Sequence, residues 1–256
     1  MKCLLVSDLH YNLKQYDWVL KEAPGFDIVI IAGDLLDVAS SVSPQAQIIV
    51  VVKYLSLIKE KSRLVVCSGN HDLDARNSAG EKFARWMTRV KALNIPTDGF
   101  NFSTNGTCFS AMPWWDGPVV LKEIEEQIEN ESSSEKSNWI WVYHTPPDNS
   151  PTSWDGKTHY GDKNLVNWIE KYKPLLVLSG HCHSSPFKSD GSWVDQIEST
   201  WIFNPGKQTG DFPTHIIIDT ELRKAAWFSL YGGQEVDMNI DLRRPIEDLT
   251  QMPEWI

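Results

Sequence analysis

Short apolar runs, each ending in an acid or a histidine, recur along this chain, and that recurrence restricts the fold more than any other feature. Residues 2–6 lead into Ser7-Asp8-Leu9-His10, residues 27–32 into Gly33-Asp34-Leu35-Leu36-Asp37, and residues 63–68 into Gly69-Asn70-His71-Asp72. Residues 138–143 lead into His144, and residues 174–179 into Gly180-His181-Cys182-His183. Uninterrupted apolar runs of this length read as strands buried on both faces. Between the first three lie helical segments. Residues 13–23 have roughly helical apolar spacing and stop at Pro24-Gly25, while Ser43-Pro44 supplies an N-cap and first residue for a helix to about Lys61. The order β-α-β-α-β implies parallel strands joined by crossover helices, which puts these polar strand ends on one rim of a sheet.

The rest of the chain extends this pattern and then changes it. Ser78-Ala-Gly-Glu81 has capping-box spacing and predicts a helix to about Leu93, closed by Pro96. Residues 106–112 read as a strand, 113–118 as a loop, and 119–130 as a helix with Leu121, Ile124 and Ile128 inward. Residues 131–137 are the most polar stretch and read as an exposed connector without chemistry. Residues 145–163 form a long loop without periodicity, and Asp162 caps a helix to about Lys173. Residues 201–203, 214–219, 225–230 and 235–240 read as antiparallel strands. One domain over 1–240 with a peripheral tail over 241–256 is expected.

Composition narrows the function classes. A chain of 256 residues that is 41% hydrophobic can bury a sizeable core. Its net charge of -10 makes nucleic acid an unlikely partner, because such surfaces need a basic stripe to release counterions. Four cysteines without a CxxC pair suit a reducing compartment. The apolar stretch after Met1 is too short for a signal peptide or a membrane span, so a soluble, cytoplasmic protein is expected.

The strand ends carry Asp8 and His10, Asp34, Asn70 and His71, His144, and His181 and His183, which include five of the seven histidines. Period-two spacing sets Asp8 and His10 on one side if extended geometry continues, and Gly69 lets the backbone turn sharply. A lone histidine after a strand is usually a cap or turn former; repetition on one rim is the unusual feature. Mixed imidazole and oxygen donors suit Mn, Fe, Zn, Ni or Co, and there are more donors than one tetrahedral zinc requires. Two divalent transition metal ions sharing a bridging carboxylate account for the set most simply.

The blocks Asp-x-His, Gly-Asp-x-x-Asp, Gly-Asn-His-Asp, His and Gly-His-x-His, in this order over about residues 2–206, resemble the calcineurin-like metallophosphoesterase superfamily. The resemblance implies two packed mixed β-sheets flanked by helices, a four-layer α-β-β-α sandwich. It implies that Asp8, His10 and His183 bind one metal, that Asn70, His144 and His181 bind the second, and that Asp34 bridges them. His71 would stand on the leaving-group side, oriented by Asp37. In such a site a metal-bridging hydroxide attacks the phosphorus, and an imidazole serves the departing oxygen. The implied activity is hydrolysis of a small phosphorylated substrate, a phosphodiester or phosphomonoester. Asp37 is followed by Val38-Ala39 rather than the Arg-Gly of protein phosphatases, and the likeness is better to bacterial cyclic-nucleotide phosphodiesterases. The alternative is a catalytically silent interaction scaffold, but none of the expected ligands is missing.

Other residues have plainer readings. Cys182 points away from its neighbouring ligands in an extended segment and packs; Asn204-Pro205-Gly206 is a turn beside the site; His159 is an exposed loop residue; His215 is structural. Trp114, Trp115 and Trp154 fall in loops where they could stack on a ring of the substrate.

Overall fold

In the computed structural model, which describes residues 1–132 and 138–256, each apolar run is a strand whose two faces enter different cores. In β1 (Lys2–Val6), Cys3 and Leu5 join one apolar cluster while Leu4 and Val6 join another. This is why the run has no polar alternation. The first cluster lies between two six-stranded sheets. One sheet has the order β14-β13-β12-β1-β2-β3, built from β1, β2 (Ile28–Ala32), β3 (Arg63–Cys67), β12 (His215–Asp219), β13 (Lys224–Ser229) and β14 (Gly232–Asp237). The other has the order β10-β11-β9-β8-β7-β6, from β6 (Phe100–Thr104), β7 (Thr107–Ala111), β8 (Trp139–Val142), β9 (Leu176–Leu178), β10 (Val194–Ile197) and β11 (Thr200–Phe203).

Helices α1 (Leu13–Glu22), α2 (Pro44–Lys59) and α3 (Met87–Ala92) cover the outer face of the first sheet. Helices α4 (Pro118–Ser132) and α5 (Lys163–Tyr172) cover the second. The four-layer α-β-β-α arrangement is therefore present. β1, β2 and β3 are parallel, as are β7, β8, β9 and β11, while β12 to β14 run antiparallel.

The expected caps of α2 and α5 form: Ser43 Oγ accepts the Ala46 N–H, and an Asp162 carboxylate oxygen accepts that of Asn164. The helix expected from Ser78 forms only at its far end, as α3 from Met87. Asn77 Oδ1 accepts the N–H groups of Ala79 and Glu81, closing a tight turn between the short strands β4 (Ala75–Arg76) and β5 (Lys82–Phe83). Glu81 then accepts the Val119 and Val120 N–H groups and caps α4, a helix 38 residues away. The capping chemistry was legible, but it serves another helix. β6 and β10 were not anticipated; both are short edge strands with half-exposed residues.

Most of the polar stretch at 131–137 lies outside the described residues. Beyond residue 240, Leu242 and Ile246 pack on the core between the sheets, Leu249 N–H bonds Gly233 O, and Trp255 bonds Glu235.

Candidate metal centre

The carboxyl ends of β1, β2, β3, β8 and β9 meet at one rim, and their loops are zipped together by main-chain bonds. Asp8 N–H donates to Gly33 O, His10 N–H to Asp34 O, and Gly180 N–H to His144 O. Extended geometry does not continue past β1. Asp8, His10, Asp34 and His181 all adopt positive φ, at 56°, 42°, 53° and 67°. Such a conformation costs roughly 1 kcal/mol or more per non-glycine residue, so the interloop bonds and the site chemistry must hold it. The side chains of Asp8 and His10 still converge, with His10 Nε2 3.8 Å from Asp8 Oδ1, because the loop curls rather than because the strand alternates.

Two glycines are required by crowding. A Cβ on Gly33 would sit 2.3 Å from His144 Nδ1, and one on Gly69 would sit 2.2 Å from Asp34 Oδ1. Gly69 itself has φ of -116°, open to any residue, so close approach rather than a sharp turn is its role.

All seven expected ligand residues come together. Donor atoms of Asp8, His10, Asp34 and His183 lie within 4.8 Å of one another. His10 Nε2 is 3.1 Å from His183 Nε2, which is 3.2 Å from Asp8 Oδ1. On the other side His181 Nδ1 lies 3.0 Å from Asn70 Oδ1, and His144 Nε2 lies 3.4 Å from Asp34 Oδ2 and 3.9 Å from Asp8 Oδ1. Asp34 thus faces both groups. Asp8, Asp34 and His144 are buried, whereas His183 is half-exposed at the mouth.

The electrostatics define what this cluster is built to hold. His144 Nδ1 is 2.7 Å from the Ala32 carbonyl and donates to it, which turns Nε2 toward the carboxylates. That Nε2 is buried and has no hydrogen-bond partner among the described residues, yet it points at two carboxylates. A proton or a metal cation between that nitrogen and the carboxylates satisfies both. Burial pulls the His144 pKa down, but Asp34 and then Asp8 outweigh it and raise it to about 9. The same attraction that draws a proton there would draw a dication. His181 goes the other way: burial, then the charge of His144, lowers it to about 4, which keeps a neutral, ligating ring. Burial disfavours the charged forms of Asp8 and Asp34, but the histidines around them prevail and hold both carboxyls below the usual range. Imidazole nitrogens and ionised carboxylates converging on one buried point fit divalent transition metals.

His71 borders these donors and forms a second metal-competent group with His10 and Asp37. Its Nε2 is 4.0 Å from Asp34 Oδ2, its ring sits edge-on to His10 at 4.4 Å, and its main-chain N–H donates to Asp34 Oδ1. The Val38 N–H reaches its Nδ1 at 3.5 Å. That contact favours the tautomer with the proton on Nε2, facing the rim. Asp37 has a carboxylate oxygen within 4.8 Å of the His71 and His10 nitrogens, and Oδ1 accepts the Ala39 N–H. Asp37 therefore acts on His71 through charge and through the shape of its loop.

Several second-tier contacts depart from expectation. The Asp72 carboxylate accepts the N–H groups of Leu35, Leu36 and Gly69 and so ties the second strand's loop to the third's. Asn204 is buried; its Nδ2 donates to Thr152 O and Cys182 O, while Oδ1 accepts the Gly206 N–H. Cys182 is buried and packs, although the backbone there is curled, with Cys182 N–H bonding Gly180 O. His159 is not exposed: it is half-buried on Trp154 and bonds Ser153 and Ser150, pinning the long loop. Of the three loop tryptophans, Trp114 alone contacts the centre, 5.2 Å from His181 and 5.8 Å from His144, while Trp115 and Trp154 bond Asp162 and Ser189.

Comparison with known proteins identifies the family and the fold. The sequence model of the calcineurin-like phosphoesterase family matches residues 1–185. No curated protein sequence matches the chain. Among solved structures, the Thermus thermophilus protein TT1561 superposes with a TM-score of 0.56 at 13% identity, covering 93% of this chain and 98% of that one. A dimetal phosphatase from Danio rerio gives 0.56 at 10% identity, over 89% and 95%. The purple acid phosphatase PPD1 from yellow lupin (Lupinus luteus) seeds gives 0.53 at 13% identity, over 97% of this chain and 52% of that one. At these identities the likeness concerns the fold.

Proposed function

Because this chain belongs to the calcineurin-like phosphoesterase family of metal-dependent phosphoric ester hydrolases, we propose that it hydrolyses a small phosphodiester or phosphomonoester at a two-metal centre. Asp8, His10 and His183 hold one ion, Asn70, His144 and His181 hold the other, and Asp34 lies between. The observation that carries this reading is the convergence of imidazole and carboxylate donors on one buried point, with His144 Nε2 3.4 Å from an Asp34 oxygen. When bound, the two dications supply the positive charge that grips a phosphoryl group and activates water.

The chain's own groups do the rest. Asp8 and Asp34 offset part of the metal charge and stay ionised. Asn70 contributes a neutral oxygen, held against His181, and so adds a donor without further negative charge. His71 presents Nε2 at the open side of the centre and gives a hydrogen bond or a proton to the departing oxygen. Burial, opposed by Asp34, lowers the His71 pKa. Trp114, anchored by its N–H to Ser68 Oγ, walls the His144 and His181 side from water.

Mn²⁺, Fe²⁺, Zn²⁺ and Ni²⁺ are the ions to supply. The deciding experiment compares cyclic nucleotides, nucleotide monophosphates and aryl diesters with the Mn²⁺-loaded protein, with and without chelator. Cyclic nucleotides are the leading diester; a strong preference for monoesters excludes them, and no turnover with any of the four metals excludes the enzyme reading.

A further inference from the structure

Lys207 follows the Asn204-Pro205-Gly206 turn, and no role in the centre has been given to it. Its main-chain N–H donates to the carbonyl of His183, so it is fastened to a ligand residue. Its side chain is half-buried, and among the described residues its ammonium makes no hydrogen bond and no ion pair. A partly desolvated cation without a partner is a costly arrangement in an apo protein. Burial lowers its pKa, and the charges of Asp8, Asp37 and Asp34, in that order, act against this.

Lys207 also lines a cleft of about 550 Å³ with Phe187, Leu230 and Tyr231. Phe187 and Tyr231 lie edge to face, with centroids 6.1 Å apart, and Tyr231 is 85% exposed at the tip of the β13–β14 hairpin. The walls are tied together. Gln208 Oε1 accepts the Leu230 N–H, its Nε2 donates to Phe212 O, and its main-chain carbonyl accepts from Gln15. The cleft therefore combines one cation, aromatic and aliphatic walls, and a volume suited to a nucleoside-sized group, beside His183.

We propose that Lys207 and this cleft form a substrate subsite that holds the organic part of the ester, with Lys207 pairing a second anionic group and Tyr231 and Phe187 contacting a ring. The subsite rests on the phosphoesterase reading and narrows it toward phosphate esters of nucleotide size that carry two anions. A cyclic mononucleotide carries one and leaves Lys207 unpaired.

The test uses the full Mn²⁺-loaded chain with adenosine 3′,5′-bisphosphate, adenosine 5′-monophosphate and an aryl phosphate, comparing wild type with Lys207→Met, Lys207→Arg and Tyr231→Ala. Lys207→Met should lower the ratio of kcat/KM for the bisphosphate to that for the aryl ester by about tenfold or more, mainly through KM. Lys207→Arg should recover most of that ratio, and Tyr231→Ala should raise KM for both nucleotides. An unchanged ratio in Lys207→Met overturns the subsite while leaving the phosphoesterase reading intact. If wild type turns over no ester, that reading fails, and equilibrium binding of the bisphosphate decides the subsite alone: about tenfold weakening in Lys207→Met supports it, and equal binding overturns it.

Discussion

The carboxylate of Asp72, at the end of the third strand's loop, accepts the main-chain N–H groups of Leu35 and Leu36 from the second strand's loop, each at 3.0 Å through Oδ1. It also receives the Gly69 N–H at 2.8 Å. One buried side chain thus holds the segments bearing Asp34 and Asn70 in register. Removing it leaves three buried N–H groups unpaired, so Asp72→Ala should destabilise the fold by about 2–4 kcal/mol and lower metal occupancy. Urea unfolding and metal analysis of the same preparation check both; normal stability with full metal content would count against the clamp.

In the proposed centre His71 is not a ligand; its Nε2 lies 4.0 Å from Asp34 Oδ2. His71→Ala and His71→Asn should therefore keep their metal while kcat falls by about 10²–10⁴, the usual range for a lost acid or base. The loss should be smallest for esters with good leaving groups, which need no proton. Metal loss with retained activity would reverse the assignment.

Metal removal should be felt in stability as well as activity. The centre buries Asp8, Asp34 and His144 together, and a ligand that binds the folded state at 100 times its Kd adds about 2.7 kcal/mol. Saturating Mn²⁺ should raise Tm, chelator should lower it, and two ions per chain should be recovered. One ion per chain, with complete unfolding on chelation, would indicate a structural zinc instead.

His215 offers a pH test away from the centre. It is buried against Trp18 and Phe228, and burial, opposed only by its bond to Pro213 O, lowers its pKa from 6.5 to about 4. The folded state disfavours the charged ring. Its contribution is therefore full above about pH 6.5 and is lost as pH falls toward 4, by roughly 3 kcal/mol if the shift is fully expressed. His215→Phe should flatten the stability profile in that window; a slope unchanged from wild type would show that other groups set it.

How much of this was legible beforehand can be argued from single residues. The strand-end blocks were readable because a strand buried on both faces leaves an unmistakable apolar run, and because acids and imidazoles stand out at its end. Ser43 and Asp162 cap the helices that follow them in sequence, since that contact is local. Glu81 belongs to the same chemistry but serves α4, and no spacing rule reaches 38 residues.

Residue type and order by themselves determined the alternation of strands and helices, the donor set, and the one rim on which the donors fall. Tertiary structure alone decided how those donors meet. Positive φ at Asp8, His10, Asp34 and His181 depends on bonds between neighbouring loops. The direction in which His144 Nε2 points depends on a carbonyl from another strand, and the Asp72 clamp and the open charge of Lys207 depend on which loops are packed together. The physical reason is range: side-chain periodicity and capping act over a few residues, whereas desolvation and the fields that offset it come from whatever folding brings near.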